Sequence, residues 1–431
     1  MSSKLLVKLL PLVLVLGLVG CGDGGEQVDD DEARKLVVIG IDSADWALLD
    51  PMMEEGRLPN IRKFMAESSY GRMKTFYPLE KSPLLWASIC TGVKPEVHGV
   101  NNFVRGSDQK PVRGSAWYAP ALWDILGAAN LSTSITGMWT TYPARPINGV
   151  MVSDYLPYGH GRDKPLANLV YPDSLSEIVV KLRVDPMSLT ADDLSRFIAP
   201  DKLAELEEKF PRDVRKLRDV YAADLGYLAV SRMLAKTQEF DLFFFYLRGP
   251  DMISHHFFKF YKAGSARRAI NEEQNAAFSE IVENYYDWSD EVVGEVLGWF
   301  PPERQTVILS DLGFYGQRRG GNKGTEEHSE WGIFLVRSPL YKAGEKFGHL
   351  NLLDICPTFL SLMGLPPAKD MPGVIMADGL TADGLKRVEK MESQRVDSYF
   401  PLRPADGPAG ERDPAVDEEI RKQLRSLGYI N

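Results

Sequence analysis

The chain has 431 residues, 44% hydrophobic and 26% charged, a balance that excludes global disorder and supplies a sizeable core. Its 50 Lys and Arg stand against 60 Asp and Glu, a formal net charge of −10. Such a surface repels a nucleic acid duplex, yet it admits a small phosphate compound where cations supply local positive charge.

Lys4 and Lys8 precede an uncharged, Leu- and Val-rich run over 9–20, too short to span a bilayer comfortably and suited to a signal peptide. The run closes on Leu18-Val19-Gly20-Cys21, which resembles the bacterial lipobox. The reading is a signal peptide over 1–20, a lipid on Cys21 and a flexible tether over 21–34 rich in Gly, Asp and Glu. A buried N-terminal helix is the competing reading. The expected location is a bacterial cell envelope, with the chain exported and held at the outer membrane or the outer face of the inner membrane. Gly22 in place of Asp favours the former.

Leu36-Val37-Val38-Ile39-Gly40-Ile41 is apolar throughout and ends on Asp42, the pattern of a central parallel strand buried on both faces. Short helices are predicted over 45–54 and 58–68, and a strand near 71–77. Ser82-Pro83 opens a helical run that closes at Gly92, with Ser82 as the expected N-cap. A helix over 119–129 and a strand over 132–138 follow. The stretch 140–215 has many prolines and little periodicity, and a long helix is predicted over 213–237. Asp241-Leu242-Phe243-Phe244-Phe245-Tyr246-Leu247 is a second buried strand and leads into Arg248-Gly249-Pro250-Asp251. Helix is predicted over 265–299, and Gln305-Thr306-Val307-Ile308-Leu309-Ser310-Asp311 is a third buried strand, again ended by an acid. A Gly- and Arg-rich loop over 313–325, a strand at 332–336, a helix at 351–363 and a closing helix at 416–427 complete the chain, with 369–415 loose and Pro-rich.

Strands alternate with helices, so the class is α/β with a mainly parallel sheet sandwiched by helices. The expected organisation is a catalytic domain built from 35–139 and 236–368, a cap or insertion over 140–235, and a C-terminal extension over 369–431. Cys90 and Cys356 sit in apolar helical stretches and make no disulfide framework; buried thiols or a single bridge both fit.

Three acids, Asp42, Asp251 and Asp311, stand at or just past strand ends, where open α/β sheets build their sites. Carboxylates converging there repel one another unless cations bind. His255 lies four residues after Asp251, on the same face of a helical turn, and His328 follows the 313–325 loop. Two imidazoles and one carboxylate suit zinc or a similar ion. Each part alone has an ordinary explanation as a cap, turn or packed residue. Ser82, at a helix start, is positioned to bind a phosphate oxygen, or to attack phosphorus if a metal ion lies beside it. As a cap alone it needs no further role.

The chain resembles the type I phosphodiesterase/nucleotide pyrophosphatase family of the alkaline phosphatase superfamily. The resemblance is carried by Val38-Ile39-Gly40-Ile41-Asp42, Ser82-Pro83 through Thr91-Gly92, and Pro95-Glu96-Val97-His98-Gly99-Val100. It continues in Pro250-Asp251-Met252-Ile253-Ser254-His255, Leu309-Ser310-Asp311-Leu312-Gly313-Phe314, and His328 before Gly332-Ile333. It implies an alkaline-phosphatase-like fold with an inserted cap, and two divalent metal ions, usually zinc. Asp251, His255 and His328 would hold one ion. Asp42 and Asp311 would hold the other, and Ser82 would be the nucleophile between them. His98 matches a structural histidine, and His256 would point away from the site. The substrate would be a small phosphate ester.

Two departures qualify this. Leu312 stands where the family motif has a histidine ligand, so the second site loses a donor. A substitute ligand (His160, with His349 a poorer candidate), a weakened second ion, or a catalytically impaired binding lipoprotein on the same fold are the outcomes left open. Leu85 stands where nucleotide-hydrolysing members carry Asn. Lys81, Lys94 and Arg248 are candidate cationic helpers, and Trp139, Tyr142, Tyr155 and Tyr158 are either pocket lining or cap core. The Cys/Ser-x-Pro-x-Arg pattern of sulfatases is missing around Ser82, as is a Gly-x-Ser-x-Gly elbow.

Overall fold

Runs of apolar residues between turns build one nine-stranded sheet. Its strands, in chain order, are β1 Leu36–Ile41, β2 Ser69–Lys74, β3 Thr133–Thr136, β4 Gly149–Val152 and β5 Val170–Tyr171, then β6 Leu242–Leu247, β7 Gln305–Leu309, β8 Trp331–Arg337 and β9 Lys346–Asn351. The sheet order is β9-β2-β8-β7-β1-β6-β3-β4-β5. Only β5 and β8 run against the rest. This computed structural model describes residues 34–160, 166–261, 271–314, 327–403, 412–426 and 430. The expected signal peptide, Cys21 and nearly all of the tether lie outside the described residues, as does most of the 313–325 loop.

The three strands read as buried from sequence are the three central ones. Every residue of β1, β6 and β7 is buried, because helices cover the sheet on both sides of its centre. Ile41 pairs with Leu247, and Gly40 with Leu309. Continuing that register sets Asp42 level with Arg248 on one flank and Asp311 on the other. The convergence of strand-end acids therefore follows from parallel pairing.

Five helices matter for the site: α1 Ser82–Thr91, α2 Pro211–Thr237, α3 Gly249–Tyr261, α4 Ile281–Leu297 and α5 Pro414–Ser426. No helix among the described residues is long and apolar enough to cross a membrane. The structure departs from the sequence reading in several places. Strands β4 and β5 come from the stretch expected to be cap, so 140–235 contributes directly to the main sheet. The helix expected over 265–299 is two, Glu272–Phe278 and Ile281–Leu297, with 262–270 outside the described residues. The stretch expected to be loose contains helix Ala382–Ser393, whose first turn is capped by the Thr381 hydroxyl. Strands of two to four residues, such as β4 and β5, are too short to show a period of two.

Candidate metal centre and active site

Helix α3 carries Asp251 and His255, and glycine fixes its start. The Gly249 N–H donates to Asp224 Oδ2 at 2.9 Å. A Cβ there would lie 2.1 Å from both that oxygen and the Tyr285 hydroxyl, so no larger residue fits. His328 arrives on a short strand, His328–Ser329, paired antiparallel with Gly313–Phe314 just beyond Asp311. This hairpin brings a residue distant in sequence onto α3. One ligand atom each from Asp251, His255 and His328 lie within 4.8 Å of one another.

Asp251 Oδ1 is the centre of this group. It lies 2.9 Å from His328 Nε2 and 3.4 Å from His255 Nε2, and it accepts the Ser43 hydroxyl at 2.7 Å. Ser43 holds a left-handed backbone conformation (φ 59°), directly after Asp42. A non-glycine residue in that conformation costs roughly 1–2 kcal/mol. Burial pushes Asp251 up, but His255 and His328 outweigh it and hold the carboxyl well below its usual range. Burial pulls His255 down, yet Asp251 and Glu327 raise it to about 9. Glu327 Oε2 lies 3.6 Å from His255 Nδ1, on the side away from Asp251. His328 is lowered by burial.

The other half is acidic. Asp42 Oδ1 accepts the Ser82 hydroxyl at 3.1 Å, and Oδ2 accepts the Tyr246 hydroxyl. Burial, with Asp251 nearby, lifts Asp42 to about 7. Burial and the Asp42 charge push Asp311 well above the usual carboxylate range, and neither of its buried oxygens meets a hydrogen-bond donor. Buried carboxylates facing one another repel by an amount on the order of a few kcal/mol at an effective dielectric near 20. Hydrogen bonds worth about 1 kcal/mol each do not offset that. The orphaned Asp311 oxygens and the crowding at Asp42 are the chemistry of a cation site, so the residues present fit a divalent ion here as well as at the triad.

Ser82 departs from the expected cap. Lys81 occupies the cap position, and Ser82 is the first helical residue, with Pro83 second. Its hydroxyl turns to Asp42 and accepts no backbone N–H of its own helix. The placement comes from packing. Trp86, one turn on, packs at a tilt against Tyr246 with ring centroids 4.6 Å apart. It also lies against Gly40, where a Cβ would come within 2.7 Å of the indole. Helix α1 is thereby pressed onto β1, and Ser82 onto Asp42.

The sequence profile described as type I phosphodiesterase / nucleotide pyrophosphatase matches residues 36–320. The chain belongs to this family. No curated protein matches it at a significant level. Among solved structures, a candidate sulfatase from Bacteroides thetaiotaomicron superposes with a TM-score of 0.51 at 12% identity, covering 81% of this chain and 74% of that one. The likeness establishes the alkaline-phosphatase-like fold. Murine ectonucleotide pyrophosphatase/phosphodiesterase 5, solved as an inactive variant with AMP, has a TM-score of 0.42 at 12% identity and covers 81% of this chain and 100% of that one.

Against the phosphodiesterase pattern, Leu312 is fully buried. Ser310 donates its hydroxyl to the Leu312 carbonyl, which holds the turn, while the side chain belongs to the core. Leu85 is also fully buried. His98 is an interior histidine: Nδ1 accepts the Val100 N–H at 3.2 Å and Nε2 meets the Ser88 hydroxyl at 2.9 Å, with burial lowering it to about 3. His256 turns to Asp213 at 2.6 Å, away from the triad. His349 is exposed beside Trp331. His160 lines a cavity between α2 and α5. Lys94 is exposed, and Lys81 donates to Asn102 at 3.0 Å. Arg248 is buried under Trp139. Tyr142 and Tyr155 stack at 4.1 Å, so these two aromatics are core. Cys90 and Cys356 are buried free thiols.

Sequence reasoning missed Ser43, Tyr246 and Glu327. Tyr246 faces the site as the penultimate residue of β6, where its hydroxyl was a legible signal at a strand end. Ser43 and Glu327 gave none, because their roles depend on a backbone twist and on a hairpin.

Proposed function

We propose that the chain hydrolyses small phosphate esters in a metal-dependent reaction, with Ser82 as the nucleophile. The observation that carries this is the joint placement of a buried His2Asp group and an unbonded Asp311 carboxylate around the Ser82–Asp42 pair. Asp251, His255 and His328 would hold one divalent ion, zinc by donor type. Asp42, Asp311 and the Ser82 oxygen would hold a second, weaker one. Such ions supply positive charge for the phosphate oxygens and lower the pKa of an adjacent hydroxyl. Asp42 orients the Ser82 oxygen by accepting its proton. Ser82 Oγ forms the new bond to phosphorus as the ester oxygen leaves, giving a phosphoserine that water then cleaves. Tyr246 holds the other oxygen of Asp42 and so fixes the direction of Ser82. Leu85 leaves no amide beside the phosphate, which argues against nucleotide selectivity.

Leu312 supports a second reading, a binding lipoprotein that retains one ion and little turnover. Metal analysis together with hydrolysis of bis-p-nitrophenyl phosphate and p-nitrophenyl phosphate separates the two. The parent is expected to bind zinc and hydrolyse at least one ester, and Ser82→Ala to lose turnover while keeping its zinc. A folded Ser82→Ala as active as the parent overturns the nucleophile. An inactive parent with every metal tried favours the binding reading.

We further propose export and anchoring through a lipid on Cys21, on the strength of the leader sequence. Cys21→Ser is expected to move the protein from the membrane to the soluble fraction; unchanged fractionation removes the anchor.

A further inference from the structure

The cavity beside the metal-ligand helix measures ≈ 800 Å³, within the range of small-molecule pockets. It is walled by α2, the loop around Tyr158, the start of α3 and α5. Met252 and His256, which line it, follow Asp251 and His255 directly, so the cavity and the triad share α3 on adjacent faces.

Arg248 also lines this cavity and is only 2% exposed. Its guanidinium lies over Trp139 at 4.5 Å and Tyr227 at 5.0 Å, and Nη2 donates to the Tyr227 hydroxyl at 2.9 Å. Nε and Nη1 are buried and find no acceptor. The nearby acids Asp154 and Asp224 face Arg248 as counter-charges, while their own hydrogen bonds go to other groups. Asp154 accepts the N–H groups of Thr140, Thr141 and Tyr142, and Asp224 accepts the Tyr285 hydroxyl and the Gly249 N–H. Of the acids on the cavity wall, Asp219 pairs with Arg215, Glu419 accepts the Gly159 N–H, and Asp185 caps Met187. A second buried cation, Lys216 of α2, lines the same space. A planar guanidinium held between aromatic rings with donors unmet is suited to a bidentate oxyanion.

We propose that this cavity is a second anion subsite, in which Arg248 and Lys216 bind a negatively charged group that the substrate carries in addition to its scissile phosphate. The inference rests on the phosphate-ester reading and narrows it: the substrate is a phosphate ester bearing another oxyanion, a phosphate or a carboxylate.

The first test uses metal-free protein, prepared with a chelator, and inorganic phosphate followed by calorimetry. Phosphate is expected to bind, about tenfold more weakly in Arg248→Met and in Lys216→Met, with Arg248→Lys falling between the parent and Arg248→Met because it keeps the charge and loses the planar fork. Equal affinity in all four proteins, no binding, or a loss confined to Ser82→Ala overturns the subsite. Thermal melting of each variant identifies one that fails to fold, and Lys216→Met then stands in for Arg248→Met. The second test compares phenyl phosphate with 3-carboxyphenyl phosphate on zinc-loaded protein. The carboxylated ester is expected to show a KM about tenfold lower, a ratio that collapses in Lys216→Met. Hydrolysis of neither ester, with phosphate binding still governed by Arg248 and Lys216, sinks the catalytic reading and leaves the subsite standing. Equal KM values, with phosphate binding indifferent to Arg248, do the reverse.

Discussion

Asp251, His255 and His328 bring one carboxylate and two imidazoles to one side of Ser82, whereas Asp42 and Asp311 bring two carboxylates and, at the position of a family ligand, the buried side chain of Leu312. The first group offsets its own charge without an ion, since both imidazoles lie against Asp251 Oδ1, although His328 Nδ1 is buried without a partner. The second does not, since Asp311 has no donor and burial raises both acids. The contrast teaches that crowded, buried carboxylates create an electrostatic demand for a cation however few donors stand beside them. The demand comes from crowded charge, and affinity comes from the number of donors.

The largest effects are expected at the complete half. His328→Ala should remove the tightly bound zinc and lower hydrolysis of bis-p-nitrophenyl phosphate by about 10²–10³-fold, read by metal analysis and initial rates. Retained zinc would show that the triad is not the principal site.

Leu312→His tests the incomplete half directly. It is expected to raise zinc from about one to about two ions per chain and turnover by roughly 10–100-fold. An unchanged metal content breaks the contrast, because it means another group already completes the second site.

Opposite signs should appear in metal-free stability. Asp251→Asn strips both imidazoles of their carboxylate and should destabilise by about 3 kcal/mol. Asp311→Asn relieves carboxylate crowding and should stabilise by about 1–3 kcal/mol. Urea unfolding of chelator-treated protein gives both values, and a shared sign would contradict the description of the two halves.

The smallest effect concerns pH. His255 keeps its proton up to about 9 in the folded chain, against the 6.5 of an ordinary imidazole side chain. The unfolded chain therefore releases that proton first, and the stability due to His255 is lost as pH rises from 6.5 through 9. The melting temperature of metal-free protein should fall across that window. With zinc bound the fall should vanish, because the ion takes neutral imidazole. A flat metal-free profile would falsify the protonated His255–Asp251 pair.

Much of the centre was legible because burial on both faces leaves a continuous apolar run. Leu36–Ile41, Leu242–Leu247 and Gln305–Leu309 became the middle of the sheet, and Asp42 and Asp311 stand at their ends. Short or edge elements left no such signature: Gly149–Val152, Val170–Tyr171 and Lys346–Asn351 joined the same sheet unannounced. Ser82 was placed at a helix start, yet its cap role was misread. A Ser-Pro pair at such a start does not reveal that an aspartate 40 residues earlier will take the hydroxyl.

Residue type and local periodicity alone determined that this chain would form a mainly parallel α/β sheet with acids at the ends of its central strands, since alternation and apolar runs are properties of neighbours in the chain. Which groups touch was decided by tertiary structure. Tyr246 reaches Asp42 across 204 residues of chain, His328 reaches Asp251 across 77, and Leu312 is buried with the hydrophobic core beside Asp311. Those contacts depend on register, on a hairpin and on the close approach of α1 to Gly40, and no short stretch of sequence encodes any of them.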